Sequence, residues 1–370
     1  MPSLRRLNCN VLGRGTFLGE NPDTIFCAKF LLHNLEHFQA VVDVSIPNSQ
    51  WPARSPFSDA LYNQCPDLQS ANIRCSGRDI LPILAALSNL RQLRSLSFGM
   101  HSSDLEPLNL SILRQVQTAE YRSLRTLYLY GSVPLLTSIV QSIQSPTLEQ
   151  VDVELYHVSF LDQLDTLLTA MTANVTYKTS IRSLSVAHKR SRHFTQHPTL
   201  SVRNLLAFSD LRYIKLLNLV MRLDDDVLHD ISRAFPRLDV LSLSIRSIPG
   251  YESTATLRGL IPFGEHCPYI SSLRLRFPVD VTIIPEVIVP LRYLQGDGTG
   301  VTQSHKTPLF LELGNGSALR NPEAVASFFL TVFRQRPLKV EPWPRLGRLT
   351  KSWVTLRACL SRMQSSAEGT

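Results

Sequence analysis

The hydrophobic positions of this chain fall into one phrase, repeated with changes. In Phe235-Pro236-Arg237-Leu238-Asp239-Val240-Leu241-Ser242-Leu243-Ser244-Ile245 the leucines stand as L-x-x-L-x-L, an apolar anchor followed by a strand whose inward positions alternate with outward ones. Asp224-Asp225-Asp226 stand ahead of it, followed by Val227, Leu228, Ile231 and Phe235 at helical spacing, with acids before the apolar stripe as at a helix start. One such helix and strand cannot bury its apolar side alone, so the phrase predicts stacking on copies of itself. Copies recur as Leu93/Leu96/Phe98, Leu124/Leu127/Leu129, Leu148/Val151/Val153, Ile181/Leu184/Val186, Leu211/Ile214/Leu216 and Ile270/Leu273/Leu275, at intervals of roughly two to three dozen residues. The shared register predicts an α/β leucine-rich-repeat solenoid, with a curved parallel sheet on the concave side and helices on the convex side.

Along the chain, Leu4/Leu7/Cys9 and Leu68/Ala71/Ile73 fit the anchor pattern, with a helix suggested by Phe30, Leu31, Leu35 and Phe38 and a strand by Val42/Val44/Ile46. Helical stripes then precede strands: Ile80, Ile83, Leu84 and Leu87; Val133, Leu136, Ile139, Val140 and Ile143; Phe160, Leu164, Leu167, Leu168 and Met171. Core packing explains these stripes better than a cofactor site. Near the end, Leu309, Leu311 and Leu313 read as a strand, and Asn321-Pro322-Glu323 reads as a capped helix start. A last helix from about Ser352 to Met363 carries Trp353, Leu356 and Leu360 on one side. The expected division is a repeat array over 1–320, a helical cap over 321–363 and a disordered tail over 364–370.

Composition narrows the reading. With 44% hydrophobic and 18% charged residues the chain can bury a core and is not wholly disordered. Its net charge of +8 is spread along the chain, which suits an acidic partner without being a nucleic-acid signature. Six cysteines show no C-x-x-C pair, so buried free thiols in a reducing compartment are expected, without a structural metal. No secretory leader or membrane span is read, and a cytoplasmic or nuclear protein is expected. Gly13, Gly15 and Gly19 miss the dinucleotide spacing, and Gly296-Asp297-Gly298-Thr299-Gly300 lacks the Gly-Lys-Ser/Thr of a phosphate loop. The scattered histidines form no catalytic constellation, so neither an enzyme nor a cofactor is expected. The basic run His188-Lys189-Arg190-Ser191-Arg192-His193 reads as a solvated loop, with localisation or phosphate binding as the alternative.

The phrases Cys65-Pro66-Asp67-Leu68 and Cys267-Pro268-Tyr269-Ile270, with Phe235-Pro236-Arg237-Leu238, resemble the irregular repeats of F-box/leucine-rich-repeat proteins. The stretch from Leu311-Glu312-Leu313-Gly314-Asn315-Gly316 through Asn321-Pro322-Glu323 to Trp343 and Trp353 resembles the end of F-box-like proteins of mushroom-forming fungi. The resemblance implies the substrate-binding part of a ubiquitin-ligase receptor. It implies a ligase adaptor as partner only if an F-box lies upstream, because nothing in the first forty residues resembles that module. A fragment and a repeat-only relative both stay open.

The expected function is recognition of a protein substrate, with no membrane role. Outward strand positions supply the candidate contacts: Ser95, Ser97, Tyr128, Tyr130, Asp152, Glu154, Tyr213, Lys215, Ser242, Ser244, Arg274 and Arg276. The partner-binding residues chosen from these are Tyr128, Tyr130, Asp152, Glu154, Tyr213, Lys215, Arg274 and Arg276. The alternative is polyanion or nucleic-acid binding through Arg274, Arg276 and the Lys189-Arg190-Arg192 loop. It is disfavoured because Asp152 and Glu154 stand among the outward positions.

Overall fold

A computed structural model describes residues 6–12, 37–43, 67–75, 84, 87–100, 119–155, 163–188, 202–245, 253–278, 281, 283–285, 308–314, 319–333, 336–343 and 351–368. The chain divides into two compact units, Met1–Pro198 and Thr199–Thr370, so the boundary expected at 320/321 falls inside the second. Residues 13–19, the run 189–193 and residues 296–300 lie outside the described residues.

The first unit carries β1 (Arg6–Leu12), β2 (His37–Asp43), β3 (Ser70–Cys75), β4 (Ser95–Met100), β5 (Ala119–Glu120), β6 (Thr126–Gly131), α1 (Val133–Ser142), β7 (Ile143–Gln144), β8 (Gln150–Leu155), α2 (Gln163–Ala173), α3 (Val175–Ser180) and β9 (Ser183–His188). Its sheet runs β1-β2-β3-β4-β6-β8-β9, every neighbour parallel, beside a small β5-β7 pair. The second unit carries α4 (Val202–Leu205), β10 (Tyr213–Leu219), α5 (Asp225–Ala234), β11 (Val240–Ile245), a 3-10 turn (Leu257–Leu260), α6 (Ile261–His266), β12 (Ser272–Pro278), β13 (Leu309–Gly314), α7 (Pro322–Val332), β14 (Leu338–Trp343) and α8 (Lys351–Glu368). Its sheet runs β10 to β14 in order, again parallel. Parallel neighbours need crossovers, and among the described residues α1, α2, α5, α6 and α7 lie in them.

The repeated phrase has a physical meaning at each strand start. The N–H of Leu238 donates to the Phe235 carbonyl at 3.0 Å, that of Ile270 to Cys267 at 3.2 Å and that of Leu93 to Leu90 at 3.2 Å, so anchor and preceding residue close one turn. Two successive N–H groups then fork onto one carbonyl, that of the residue just ahead of the previous strand. Arg125 and Thr126 donate to Arg94 at 2.8 and 3.0 Å, Glu149 and Gln150 to Arg125 at 2.9 Å each, and Asp239 and Val240 to Arg212 at 2.8 and 3.0 Å. That fork sets the register, and with it the face each side chain takes. Every residue of the seven anchor triplets is buried.

The helices pack on the anchor side. Asp224 caps α5 by accepting from the Val227 N–H at 2.9 Å, and Leu228 and Ile231 are buried beneath it. Asp225, one residue on, reaches the next crossover: its Oδ1 accepts from the N–H groups of Thr256 at 2.7 Å and Gly259 at 3.1 Å, and its Oδ2 from the Thr256 hydroxyl at 2.7 Å. Gly259 permits this approach, because a Cβ there would lie 2.7 Å from Asp225 Oδ1. Asn321 caps α7 by accepting from Ala324 at 3.1 Å. Trp353, Leu356 and Leu360 of α8 are buried, and Arg357 donates to the Val340 carbonyl of β14 at 2.9 Å. Because α8 runs to Glu368, most of the tail expected to be disordered is helical. Among the described residues, no helix is long and apolar enough to cross a membrane.

The solenoid expectation is corrected. Each unit holds an open parallel sheet flanked by helices, neither curled nor closed, and so not the curved leucine-rich-repeat form. The L-x-x-L-x-L phrase encodes a turn, an inward side and a strand register, all of which are local. Curvature comes from the rotation added per repeat, which depends on how much wider the helical layer is than the strand layer. Here the crossovers differ in kind: the α-helix α5 joins β10 to β11, whereas a four-residue 3-10 turn running straight into six-residue α6 lies between β11 and β12. The F-box-like resemblance and the ligase-receptor function drawn from it fall with the curved module. Cys267 and Phe235 explain the shared phrases instead, since each is a buried residue opening a turn into a parallel strand.

Candidate functional site: the outer sheet faces

The sequence-derived contacts divide between the units, and each group lies on the sheet face turned away from the anchors. In the second unit, register places Tyr213, Val240, Ser272, Phe310 and Lys339 in one row and Lys215, Ser242, Arg274, Glu312 and Glu341 in the next. Arg276 lies beyond, opposite Ser244. Neighbouring strands are about 4.8 Å apart, so these side chains touch across the sheet.

Glu312 organises this face. It occupies an outward position, yet its side chain is only 1% exposed, under Arg274 at 41% and Arg276 at 22%. Arg276 reaches it through Nε at 3.2 Å and Nη2 at 3.4 Å, a forked contact that fixes the plane of the guanidinium. Arg274 Nε lies 3.9 Å from Glu312 Oε2, donates to Ser272 Oγ at 3.1 Å, and its guanidinium sits 5.0 Å from the centre of the Phe310 ring. Lys339 approaches the same ring at 5.7 Å. Its other neighbour is Glu341, 3.5 Å away, where again the acid is covered (12% exposed) and the cation open (65%). Carboxylates lie low and cations high, so the surface presented outward is positive. At the far side Lys215 stands 5.8 Å from the exposed Tyr213 ring.

In the first unit, Tyr128 faces Asp152 and Tyr130 faces Glu154 across β6 and β8. Gln150 donates to Asp152 Oδ2 at 2.6 Å and approaches the Tyr128 hydroxyl at 3.5 Å. Burial, then the Asp152 charge, then Tyr130 raise the Tyr128 phenol above its ordinary value. Tyr130 lies against Gly99, where a Cβ would come within 2.7 Å of it.

All the chosen contact residues are on outer faces: Tyr128, Tyr130, Asp152 and Glu154 belong to the first unit, Tyr213, Lys215, Arg274 and Arg276 to the second. Ser97 and Ser242, expected outward and open, are buried instead. Each stands beside a longer side chain on the neighbouring strand, Tyr128 and Arg274 respectively. Phe310, Glu312 and Lys339 were missed. The strand reading at Leu309/Leu311/Leu313 already carried a signal for the first two, because alternation puts Phe310 and Glu312 outward.

Among the described residues, no group of three or more His, Cys, Asp or Glu is placed to hold a metal ion. Cys267 is buried, and burial pushes its thiol up to about 12. No family model matches the chain, and no curated protein is significantly similar to it.

Proposed function

We propose that this protein acts by binding and not by catalysis, and that the outer sheet face of the second unit receives an acidic segment of a partner protein. Glu312 carries the reading. A carboxylate held under Arg274 and Arg276 keeps those guanidiniums in fixed orientation, so that little side-chain freedom is lost when an incoming carboxylate meets them. Phe310 and Tyr213 add ring surface between the cations, which suits a protein partner with apolar side chains among its acids. No curved solenoid and no ligase role enters this reading. The buried thiols of Cys267 and Cys359 favour a reducing compartment, cytoplasm or nucleus.

The test is fluorescence anisotropy with a labelled oligoglutamate peptide. Replacing Arg274 and Lys339 together by Ala should weaken binding about tenfold, each contact being worth of order 0.5–1 kcal/mol at a half-open site. Equal binding by the folded double variant, or no binding by the parent, rejects the proposal.

A further inference from the structure

We propose that the segment received by the outer face of the second unit is a proline-rich stretch of a partner protein in the polyproline II conformation, with an acid at every third position, lying across the strands. This rests on that face taking an acidic segment, and adds the conformation and spacing of the occupant. The placement of the cations carries it. Lys215, Arg274 and Lys339 belong to β10, β12 and β14, one on every second strand in the order β10-β11-β12-β13-β14. Their charged ends are drawn into one line between the two outward rows. Lys215 leans back to the Tyr213 ring at 5.8 Å and Arg274 to Ser272 Oγ at 3.1 Å, while Lys339 leans forward to Glu341 at 3.5 Å. With strands about 4.8 Å apart, successive cations of the line stand about 9.6 Å apart.

That spacing selects a conformation. Polyproline II rises about 3.1 Å per residue with three residues per turn, so every third side chain shares one face at intervals of about 9.3 Å. An extended β-strand covers about 10 Å in three residues, but alternation turns the third side chain to the opposite side. In an α-helix the nearest same-face repeat is seven residues, about 10.5 Å, and over the two intervals from Lys215 to Lys339 it overshoots by about 2 Å. The ground between the cations fits a proline-rich chain as well. β11 offers the buried side chains of Val240 and Ser242, and β13 the Phe310 ring, 5.0 Å from the Arg274 guanidinium and 5.7 Å from Lys339 Nζ. Polyproline II segments dock on surfaces lined by aromatic rings. The cations have donors to give: among the described residues, neither Nη group of Arg274 has a hydrogen-bond partner and Lys215 forms no ion pair.

The probes are labelled peptides of one composition titrated into the full chain: Glu-Pro-Pro repeated three times, and a block of three Glu followed by six Pro. The repeat should bind about tenfold tighter, because a block in the same conformation turns only one of its acids to the line of cations. Lys215→Ala should weaken the repeat several-fold, although it stands about 19 Å from Lys339, a reach that only a regularly spaced segment has. Equal binding of repeat and block overturns the proposal, and if Arg274→Ala with Lys339→Ala lowers both, the acidic-segment reading still stands. A Glu-Ala-Ala repeat that binds as tightly as Glu-Pro-Pro also overturns it, since that spacing without proline does not hold the acids on one face. Failure of both proline peptides while oligoglutamate binds overturns the spacing alone, and failure of oligoglutamate as well takes the acidic-segment reading with it.

Discussion

Asp225 ties α5 to the crossover that feeds β12, the strand bearing Arg274 and Arg276, and its removal should loosen the second unit. Oδ1 serves two backbone N–H groups, Thr256 at 2.7 Å and Gly259 at 3.1 Å, and Oδ2 serves the Thr256 hydroxyl at 2.7 Å. In Asp225→Ala the Thr256 N–H loses its acceptor in a half-buried place, and the Gly259 N–H keeps only its bond to the Thr256 carbonyl at 3.2 Å. Hydrogen bonds to a charged group are each worth about 1.5–3 kcal/mol, less where water can reach, so a total of about 3 kcal/mol is expected. At about 2–4 °C per kcal/mol for a unit of this size, the melting temperature should fall by about 6–12 °C. Asp225→Asn is the informative partner. Its amide oxygen can take the place of Oδ1 and keep both N–H bonds, while its NH2 group donates to the Thr256 hydroxyl, so only the charge is lost and about 1 kcal/mol is expected. Differential scanning calorimetry of both variants checks the order. Equal losses, or an Ala variant within about 0.5 kcal/mol of the parent, would refute the account of this bridge.

Further outcomes follow from the same geometry. Gly264→Ala should destabilise the second unit, since a Cβ there would collide with the Val332 carbonyl of α7; a thermal melt matching the parent would show that α6 and α7 can separate freely. Glu312→Gln should cost about 1–2 kcal/mol, discounted because the guanidiniums above it reach water, whereas Glu323→Gln at the open Arg362 pair should leave the melt unchanged; the reverse order in denaturant titrations would contradict the burial argument. The Cys267 thiol, raised from 9.0 to about 12, should resist iodoacetamide in the native protein at pH 8; stoichiometric native labelling there would contradict its burial. The unfolded chain loses that proton above about pH 9 and the native one only near pH 12, so the native state binds more protons in that window. Stability should therefore fall as pH rises across it, with the raised phenols of Tyr121 and Tyr177 acting in the same direction.

Strand starts at the seven anchor triplets were the most legible feature of the sequence, because turn, anchor and inward alternation are all encoded within a few residues; β2 was not, since it runs His37–Asp43 where a helix through Phe38 and a strand at Val42/Val44/Ile46 were expected. The helix starts at Asp224 and Asn321 were legible for the same reason: a capping side chain acts two or three residues away. Curvature was not legible, since it depends on how successive crossovers pack. Nor was β14, where Leu338 and Val340 give a short alternation and Pro342 reads as a turn; at this edge strand its missing N–H removes no bond within the sheet. The burial of Glu312 could not be read locally. A carboxylate at an outward position is expected in water, and only the pairing Arg274↔Glu312 reveals the guanidiniums that cover it. Candidate residues were thus found where alternation alone decides the face. They were missed where a neighbour from a distant stretch decides exposure.

The claim that the second unit's outer face takes an acidic segment is tested most directly by zero-length carbodiimide coupling of oligoglutamate to the protein, with the modified lysines located by mass spectrometry. Coupling joins a carboxylate to an amine only in direct contact, and among the described residues Lys215 and Lys339 are the amines on that face. The account predicts coupling concentrated at Lys215 and Lys339, suppressed in the Arg274→Ala variant and by raised salt. Coupling that favours Lys178 or Lys351, or that spreads evenly over all lysines, would contradict it.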